Sequence, residues 1–179
     1  GREVLIGVIM SSILVNDVWG RTFFQWQLQQ RGIDLTTGHA ERLCMQLQMI
    51  DLMSTDMTIL PATATTVEIT AALQKGVPIY VRGEDGTTFS GAISFADLYR
   101  AENGQSTAGK LAQMVPYLKQ NDNLARAIAI CNTHDAVSFP VLSDTEESEI
   151  VGFVTVKRIM NAYQSVLDRV TREEHSFTE

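Results

Sequence analysis

The sequence predicts an α+β protein in which one unit, built as strand, helix, strand, strand and helix, occurs twice. The first observation is a repeated stretch, since residues 91–98 (GAISFADL) return about 61 positions later (152 − 91) as residues 152–159 (GFVTVKRI). The second is that a β-rich run containing a proline precedes each copy, at 77–81 and 138–142. Self-similarity at this spacing indicates a duplicated supersecondary unit.

Composition restricts the possible partners. The 179 residues carry 21 acidic and 14 basic side chains, a net charge of −7, and this excess of acid argues against binding to a nucleic-acid backbone. Cys44 and Cys131 lie far apart and match no metal or redox spacing, so we expect two reduced thiols in a core. His39, Glu41 and Cys44 are close in sequence, but His39 and Cys44 would not share a helix face, and no metal site is predicted.

Residues 1–50 are predicted to be an N-terminal helical segment. Positions 4–15 are apolar apart from Gly7, Ser11 and Ser12, but a run of about 12 residues is shorter than the roughly 18 to 20 that cross a bilayer. Two interpretations stand, the cut end of a membrane helix and a helix buried in a dimer or against the body. A helix capped at Asn16 or Asp17 should follow to about residue 30, and a shorter one should begin at Gly38.

The first repeat is predicted over 51–105. A strand at 57–60 should end at Pro61, and a helix capped by Thr65 or Thr66 should continue to Lys75. Strands at 77–81 and 88–93 should form a hairpin around the turn at 83–86. Ser94 should then cap a helix that reaches about residue 101.

The second repeat is predicted over 106–170, with a tail at 171–179. It should contain a strand at 114–118, a helix capped by Asp122 or Asn123, a hairpin of 138–142 and 150–154, and a last helix after Thr155. The early elements match at an offset near 57 (114 − 57) and the hairpins at 61. This difference predicts about four residues inserted after the first helix of one half.

Two tandem units of this order, from Asp51 to Gln164, resemble a pair of CBS domains, also called a Bateman module. The proline before each hairpin, the glycine in its return strand and the hydroxyl cap carry the resemblance. It implies that the two units pack through their sheets about a pseudo-twofold axis and form a homodimer. It also implies two clefts that can hold AMP, ADP or ATP as a regulatory ligand, with no required cofactor.

Residues 20–35 (GRTFFQWQLQQRGIDL) look like the passage that joins the last membrane helix of bacterial CLC-type chloride channels and transporters to their CBS pair. On this resemblance, residues 4–15 are the end of a membrane helix. The implied partner is the transmembrane chloride-transport domain of the same chain. The implied location is the cytoplasmic face of the cell membrane, within a multi-pass protein.

The resemblance also implies which side chains form each cleft. An acid one turn into a helix can accept both hydroxyls of a ribose, and a capping hydroxyl with free N–H groups suits a phosphate. The first cleft would contain Ser94 and Asp97, with walls from the second unit, namely Val115, Pro116, Tyr117, Phe139 and Pro140. The second would contain Thr155 and Arg158, with Thr58, Ile59, Ile79 and Tyr80.

Arg158 departs from the family pattern, because a guanidinium has no acceptor for ribose hydroxyls, although it can pair with a phosphate. The sequence therefore predicts one nucleoside cleft per chain. Three of these site residues also have a purely structural interpretation. An acid such as Asp97 stabilises a helix start without any ligand, and Tyr80 and Tyr117 fit a core or an interface equally well.

No catalytic motif accompanies the repeats, since neither Gly-x-Ser-x-Gly nor a glycine-rich loop followed by Lys-Ser/Thr occurs, and the three histidines lie apart. An enzyme is not predicted. The leading hypothesis is the regulatory CBS pair of a CLC-type voltage-gated chloride channel or chloride transporter. The alternatives are a nucleotide-sensing CBS module of a cytosolic enzyme or another transporter, and a ligand-free dimerisation module.

Overall fold

A computed structural model of the chain describes residues 38–101 and 105–177. The chain divides into two compact units, Gly1–Glu41 and Arg42–Glu179. The predictions for residues 4–15, for the helix that ends near residue 30 and for residues 20–35 lie outside the described residues. No helix among the described residues is long and apolar enough to cross a membrane.

Seven helices and six strands occur in the described residues. Two helices come first, α1 (Gly38–Gln46) and α2 (Met49–Leu52). The first repeat contains β1 (Thr58–Pro61), α3 (Thr66–Leu73), β2 (Ile79–Arg82), β3 (Phe89–Ile93) and α4 (Phe95–Arg100). After the connecting helix α5 (Ala108–Leu111), the second contains β4 (Leu118–Lys119), α6 (Leu124–Thr133), β5 (Ser138–Leu142), β6 (Ile150–Thr155) and α7 (Val156–Ser176).

The two repeats have the same sheet topology. Each sheet has three strands, ordered β1-β2-β3 and β4-β5-β6, with a parallel first pair and an antiparallel second pair. Even the irregularity in the hairpin recurs, between Val81 and Arg82 in one sheet and between Val141 and Leu142 in the other. The predicted duplication of an α+β unit is confirmed.

Local capping chemistry fixes where the first helix of each repeat begins. Thr65 rather than Thr66 caps α3, because its Oγ1 accepts the Glu68 N–H at 3.5 Å while the Glu68 carboxylate accepts the Thr65 N–H at 2.7 Å. Asn123 rather than Asp122 caps α6, since its Oδ1 accepts the Arg126 N–H at 2.9 Å.

The predicted strand at 114–118 is wrong in extent, because β4 contains only Leu118 and Lys119. Upstream, the backbone of Gln113 pairs with Ala92 in β3 of the first unit, so the chain reaches β4 from the edge of the other sheet. The predicted insertion of four residues is also wrong. Leu60 and Leu118 hold equivalent positions 58 apart (118 − 60), and their partners Val81 and Val141 are 60 apart (141 − 81). The two added residues lie within the helix, since α6 has 10 residues and α3 has 8, and one more is added in the hairpin.

The chain entering each unit crosses to the sheet of the other unit. Gln113, which leads into the second unit, exchanges two backbone hydrogen bonds of 2.9 Å with Ala92 of β3. Ser54, which leads into the first unit, exchanges bonds of 2.8 and 2.9 Å with Phe153 of β6. This reciprocal exchange relates the two units by a pseudo-twofold axis.

The short helices before each repeat follow the same rule. The Met49 N–H donates to the Asp122 carbonyl at 2.9 Å, which docks α2 on the second unit. The Ala108 N–H donates to the Ala64 carbonyl at 2.9 Å, which docks α5 on the first. The helix that precedes the first repeat therefore packs on the second unit, and the helix that precedes the second repeat packs on the first unit.

Two apolar clusters account for the faces of the first sheet. One lies between the sheets, with Tyr80, Phe89, Leu142, Ile150 and Phe153 buried and Met57, Ile59, Ala92 and Val115 packed against them. The other lies under the helices, with Ala64, Ile69, Ala72, Leu73, Ile79, Val81, Ile93 and Ala108. Because the first cluster draws on both sheets, the predicted packing of the units through their sheets is confirmed.

The repeated glycines are required by the crossing segments. A Cβ on Gly91 would lie 2.7 Å from the Gln113 carbonyl oxygen, and Gly91 has φ +150. A Cβ on Gly152 would lie 2.8 Å from the Ser54 carbonyl oxygen. Only glycine lets the backbones approach this closely.

Replacing either glycine should therefore destabilise the protein. We expect Gly91→Ala to lower the free energy of unfolding by about 3 kcal/mol, because overpacking and backbone strain add, and Gly152→Ala by about 2 kcal/mol through overpacking. Urea denaturation with an unchanged m value measures both changes. Gly86→Ala is the control, with φ +78 and open space, and a loss at Gly91 no larger than at Gly86 would contradict the crossing explanation.

Candidate functional site

The first predicted cleft begins at the start of α4, where Ser94 and Asp97 form a closed turn. The Ser94 N–H and the Ser94 hydroxyl both donate to Asp97 Oδ2, at 2.8 and 2.9 Å. Asp97 is only 8% exposed, and its Oδ1 lies 3.9 Å from the exposed guanidinium of Arg100. One carboxylate oxygen is thus used inside the helix cap, as the structural interpretation of Asp97 requires.

The second carboxylate oxygen of Asp97 keeps acceptor capacity. An ionised carboxylate offers about four lone-pair sites, and the contact of Oδ1 with the exposed side chain of Arg100 is long, at 3.9 Å. The turn can therefore act as a helix cap and still accept a hydroxyl group from a ligand.

The crossing segment, which was not among the predicted walls, runs beside this turn. The antiparallel pairing of Gln113 with Ala92 brings residues 111–112 alongside the end of β3, and Leu111 packs against the same helix-facing cluster as Leu98. Sequence reasoning did not include residues 111–113 in the cleft. The glycine at 91 was the available signal, because a glycine inside a strand marks a close backbone approach.

The residues predicted to form the walls of the first cleft differ in their position and in their burial. The Tyr117 ring lies 6.3 Å from the Phe89 ring, and Phe89 precedes Ser94 by five residues, about 16 Å along a strand. Val115 packs in the cluster between the sheets, Phe139 and Pro140 are fully buried, and Pro116 is half-buried. Their role as one nucleotide site stays a prediction.

At the equivalent turn of the second unit, Thr155 caps α7 without a carboxylate. Its Oγ1 accepts the Arg158 N–H at 3.0 Å, while the Arg158 side chain is exposed. Arg158 makes no ion pair with a described residue. The first unit has a hydrogen-bond acceptor here, the Asp97 carboxylate, whereas the Arg158 side chain at the equivalent position offers only hydrogen-bond donors.

The predicted walls of the second cleft lie on opposite faces of one sheet. Tyr80 and Ile59 face the other sheet, whereas Ile79 packs under the helices beside β1, which begins at the half-buried Thr58. Burial raises the pKa of Tyr80 to about 12, while its hydrogen bond with Ser138 of the second unit lowers it. Tyr80 therefore joins the two units as a neutral side chain, and the assignment of these residues to one cleft stays a prediction.

A cavity of about 370 Å³ lies beside Arg158, between α7 and the chain at 43–52. Its floor is apolar and half-buried or buried, from Leu43, Leu47, Leu52, Ala162 and Val166. Its rim is exposed and polar, from Gln46, Arg158, Asn161, Ser165 and Arg169. Only Arg158 among these ten residues was predicted to be a site residue, because helical spacing does not show which segment covers α7.

Comparison with known proteins identifies the architecture. Residues 112–165 match the sequence model of the CBS domain family. A CBS domain pair/ACT domain protein from Thermotoga maritima is similar, with a TM-score of 0.57, 19% identity, and coverage of 68% of this chain and 99% of that one. The fold is that of a CBS domain pair. No curated protein sequence matches the chain.

Two further solved structures are similar and contain bound nucleotides. The cytosolic domain of the Mg²⁺ channel MgtE in complex with ATP has a TM-score of 0.56 and 22% identity, over 65% of this chain and 48% of that one. A CBS domain protein from Pyrobaculum aerophilum complexed with AMP has a TM-score of 0.53 and 20% identity, over 63% and 89%. This chain thus spans about half of the matched MgtE domain.

Proposed function

We propose that the chain is a regulatory CBS pair that senses an adenine nucleotide at the turn of Ser94 and Asp97. The observation that carries the proposal is the free capacity of Asp97 Oδ1 at the start of α4, beside the crossing segment. A ribose hydroxyl can donate to Oδ1 while Oδ2 keeps the helix cap. Relatives of the same fold bound to ATP and AMP support this choice of ligand.

The position of this turn suits regulation because two chain segments meet there. Ser94 and Asp97 belong to the first unit, and residues 111–113 lead into the second. A ligand that contacts both segments favours the arrangement in which they are adjacent. It changes the balance of two states only by the difference between its affinities for them.

Calorimetric titration with AMP, ADP and ATP tests the sensor. We expect at least one nucleotide to bind at micromolar to millimolar concentration, and Asp97→Asn to weaken that binding about tenfold or more, because a charged acceptor for the ribose is lost. Urea denaturation of the variant checks that the cap still folds. Absence of binding at millimolar concentration for all three nucleotides would reject the sensor and favour a ligand-free dimerisation module.

We also propose that the chain forms a homodimer through its CBS units. The supporting feature is an aromatic patch on α4, where Phe95 is 68% and Tyr99 94% exposed at positions i and i+4 on one helix face. Large exposed aromatic side chains of this kind commonly anchor protein interfaces.

Charging this patch should separate the dimer. We expect the double variant Phe95→Asp, Tyr99→Asp to raise the dimer dissociation constant at least about 30-fold, since two buried anchors would become charged. Analytical ultracentrifugation over a concentration series measures this change. Val137→Asp, at another exposed apolar position (76%), should leave the constant unaltered, and an equal effect of both variants would contradict an interface on α4.

The finer proposal is that this pair regulates a CLC-type chloride channel or transporter from the cytoplasmic face of the cell membrane. Its support is the resemblance of residues 20–35 to the passage that follows the last membrane helix of that family. The likeness of the fold to the cytosolic domain of a Mg²⁺ channel fits a regulatory domain of a transport protein. The partner would be the transmembrane domain of the same chain.

Chloride efflux from liposomes containing the full-length protein tests the transport proposal. We expect efflux in the absence of nucleotide, a different rate with the nucleotide that binds best, and no nucleotide response in Asp97→Asn. Empty liposomes are the control. Absence of chloride efflux, together with intact nucleotide binding, would instead favour the CBS module of another transporter or of a cytosolic enzyme.

A further inference from the structure

The cavity between α7 and residues 43–52 has the form of a small-molecule site. Its volume of about 370 Å³ lies within the usual range of ligand sites, roughly 300 to 1,000 Å³. An apolar floor that includes Leu43 and Leu52 is surrounded by an exposed polar rim. This arrangement fits a ligand with an apolar body and one strongly polar end.

The charges at the rim select an anion. Arg158 and Arg169 line the cavity and no acidic residue does, although the whole chain has a net charge of −7. Arg169 pairs with Glu173 at 3.1 Å, whereas Arg158 makes no ion pair with a described residue. Arg158 also lies in the first turn of the 21-residue α7, where the helix dipole adds to the attraction for negative charge.

We propose that this cavity binds an organic phosphate through Arg158, with the apolar body of the ligand against Leu43, Leu47 and Leu52. A guanidinium offers a planar set of donors that matches a phosphate, and it cannot accept hydroxyl groups. The site therefore recognises the phosphate end and does not require a ribose diol. The inference rests on the proposed function as a nucleotide-responsive module, and it assigns the second unit a different ligand chemistry from the first.

The walls of the cavity indicate what the ligand would control. The stretch containing Leu43, Leu47 and Leu52 is held on the second unit by backbone bonds, such as Leu124 N–H to the Leu47 carbonyl at 2.8 Å, and contains the fully buried side chains of Cys44 and Met49. A ligand that also contacts α7 would add to this docking. Because residues 43–52 join the CBS pair to residues 1–41 in sequence, occupancy would be communicated towards the N-terminal segment.

Calorimetric titration with 2′,3′-dideoxyadenosine monophosphate tests the site, because this probe keeps the phosphate and lacks the diol that Asp97 would bind. We expect it to bind the chain, and Arg158→Gln to weaken the binding at least about tenfold, since a charged phosphate contact is lost. Arg172→Gln, an exposed arginine on the same helix outside the cavity, is the matched control. Adenosine, which has no phosphate, should not bind at this site.

Hydrogen exchange locates the bound probe and separates the two proposals. Slower exchange at amides of 43–52 and 158–166, lost in Arg158→Gln and kept in Asp97→Asn, supports the inference. Hexyl phosphate tests whether the site requires an adenine base or accepts any apolar group attached to a phosphate. Binding of hexyl phosphate that is weakened in Arg158→Gln also supports the inference. If neither phosphate binds, or if binding is the same in Arg158→Gln, the inference is overturned, whereas AMP binding that depends on Asp97 would leave the proposed function intact.

Discussion

The reciprocal crossing of the lead-in segments is the constraint on which the rest of the structure depends. Gln113 completes the edge of β3, and Ser54 completes the edge of β6, so neither three-stranded sheet is finished by its own unit. The close approach at Gly91 and Gly152 makes this crossing possible. A small sheet with an open edge is marginally stable alone, and the exchange satisfies the edge groups while it brings the apolar faces of both sheets together. The pair is therefore one cooperative body rather than two linked units.

The crossing also determines where chemistry can occur. At each crossing, the third strand ends in a helix, and the segment from the other unit lies beside the first turn of that helix. Symmetry would give two equal clefts, but the side chains at the third helical position differ, with Asp97 in α4 and Arg158 in α7. Asp97 bends back to its own cap and remains an acceptor, whereas Arg158 extends to a cavity rim as a donor. A duplicated backbone thus presents side chains of opposite charge at equivalent positions.

Helix length increases this asymmetry. α4 ends after six residues, whereas α7 continues for 21, far enough to form a cavity with residues 43–52. That cavity exists because α1 and α2 dock on the second unit. A ligand there would contact both α7 and residues 43–52.

The sequence by itself determined the duplication and the order of elements, and it placed the helix caps of both repeats to within one residue, because these depend on local patterns such as Ser94 before an apolar turn and glycine within a strand. It also predicted the contrast between Asp97 and Arg158. It could not show that residues 114–117 leave the strand, that Ile79 and Tyr80 face different cores, or that residues 43–52 cover α7. Those features depend on which distant segment supplies the missing hydrogen bonds and apolar surface. Only the tertiary structure shows which segment packs against which, since hydrophobic periodicity and secondary-structure propensity describe a single helix or strand and not its neighbour.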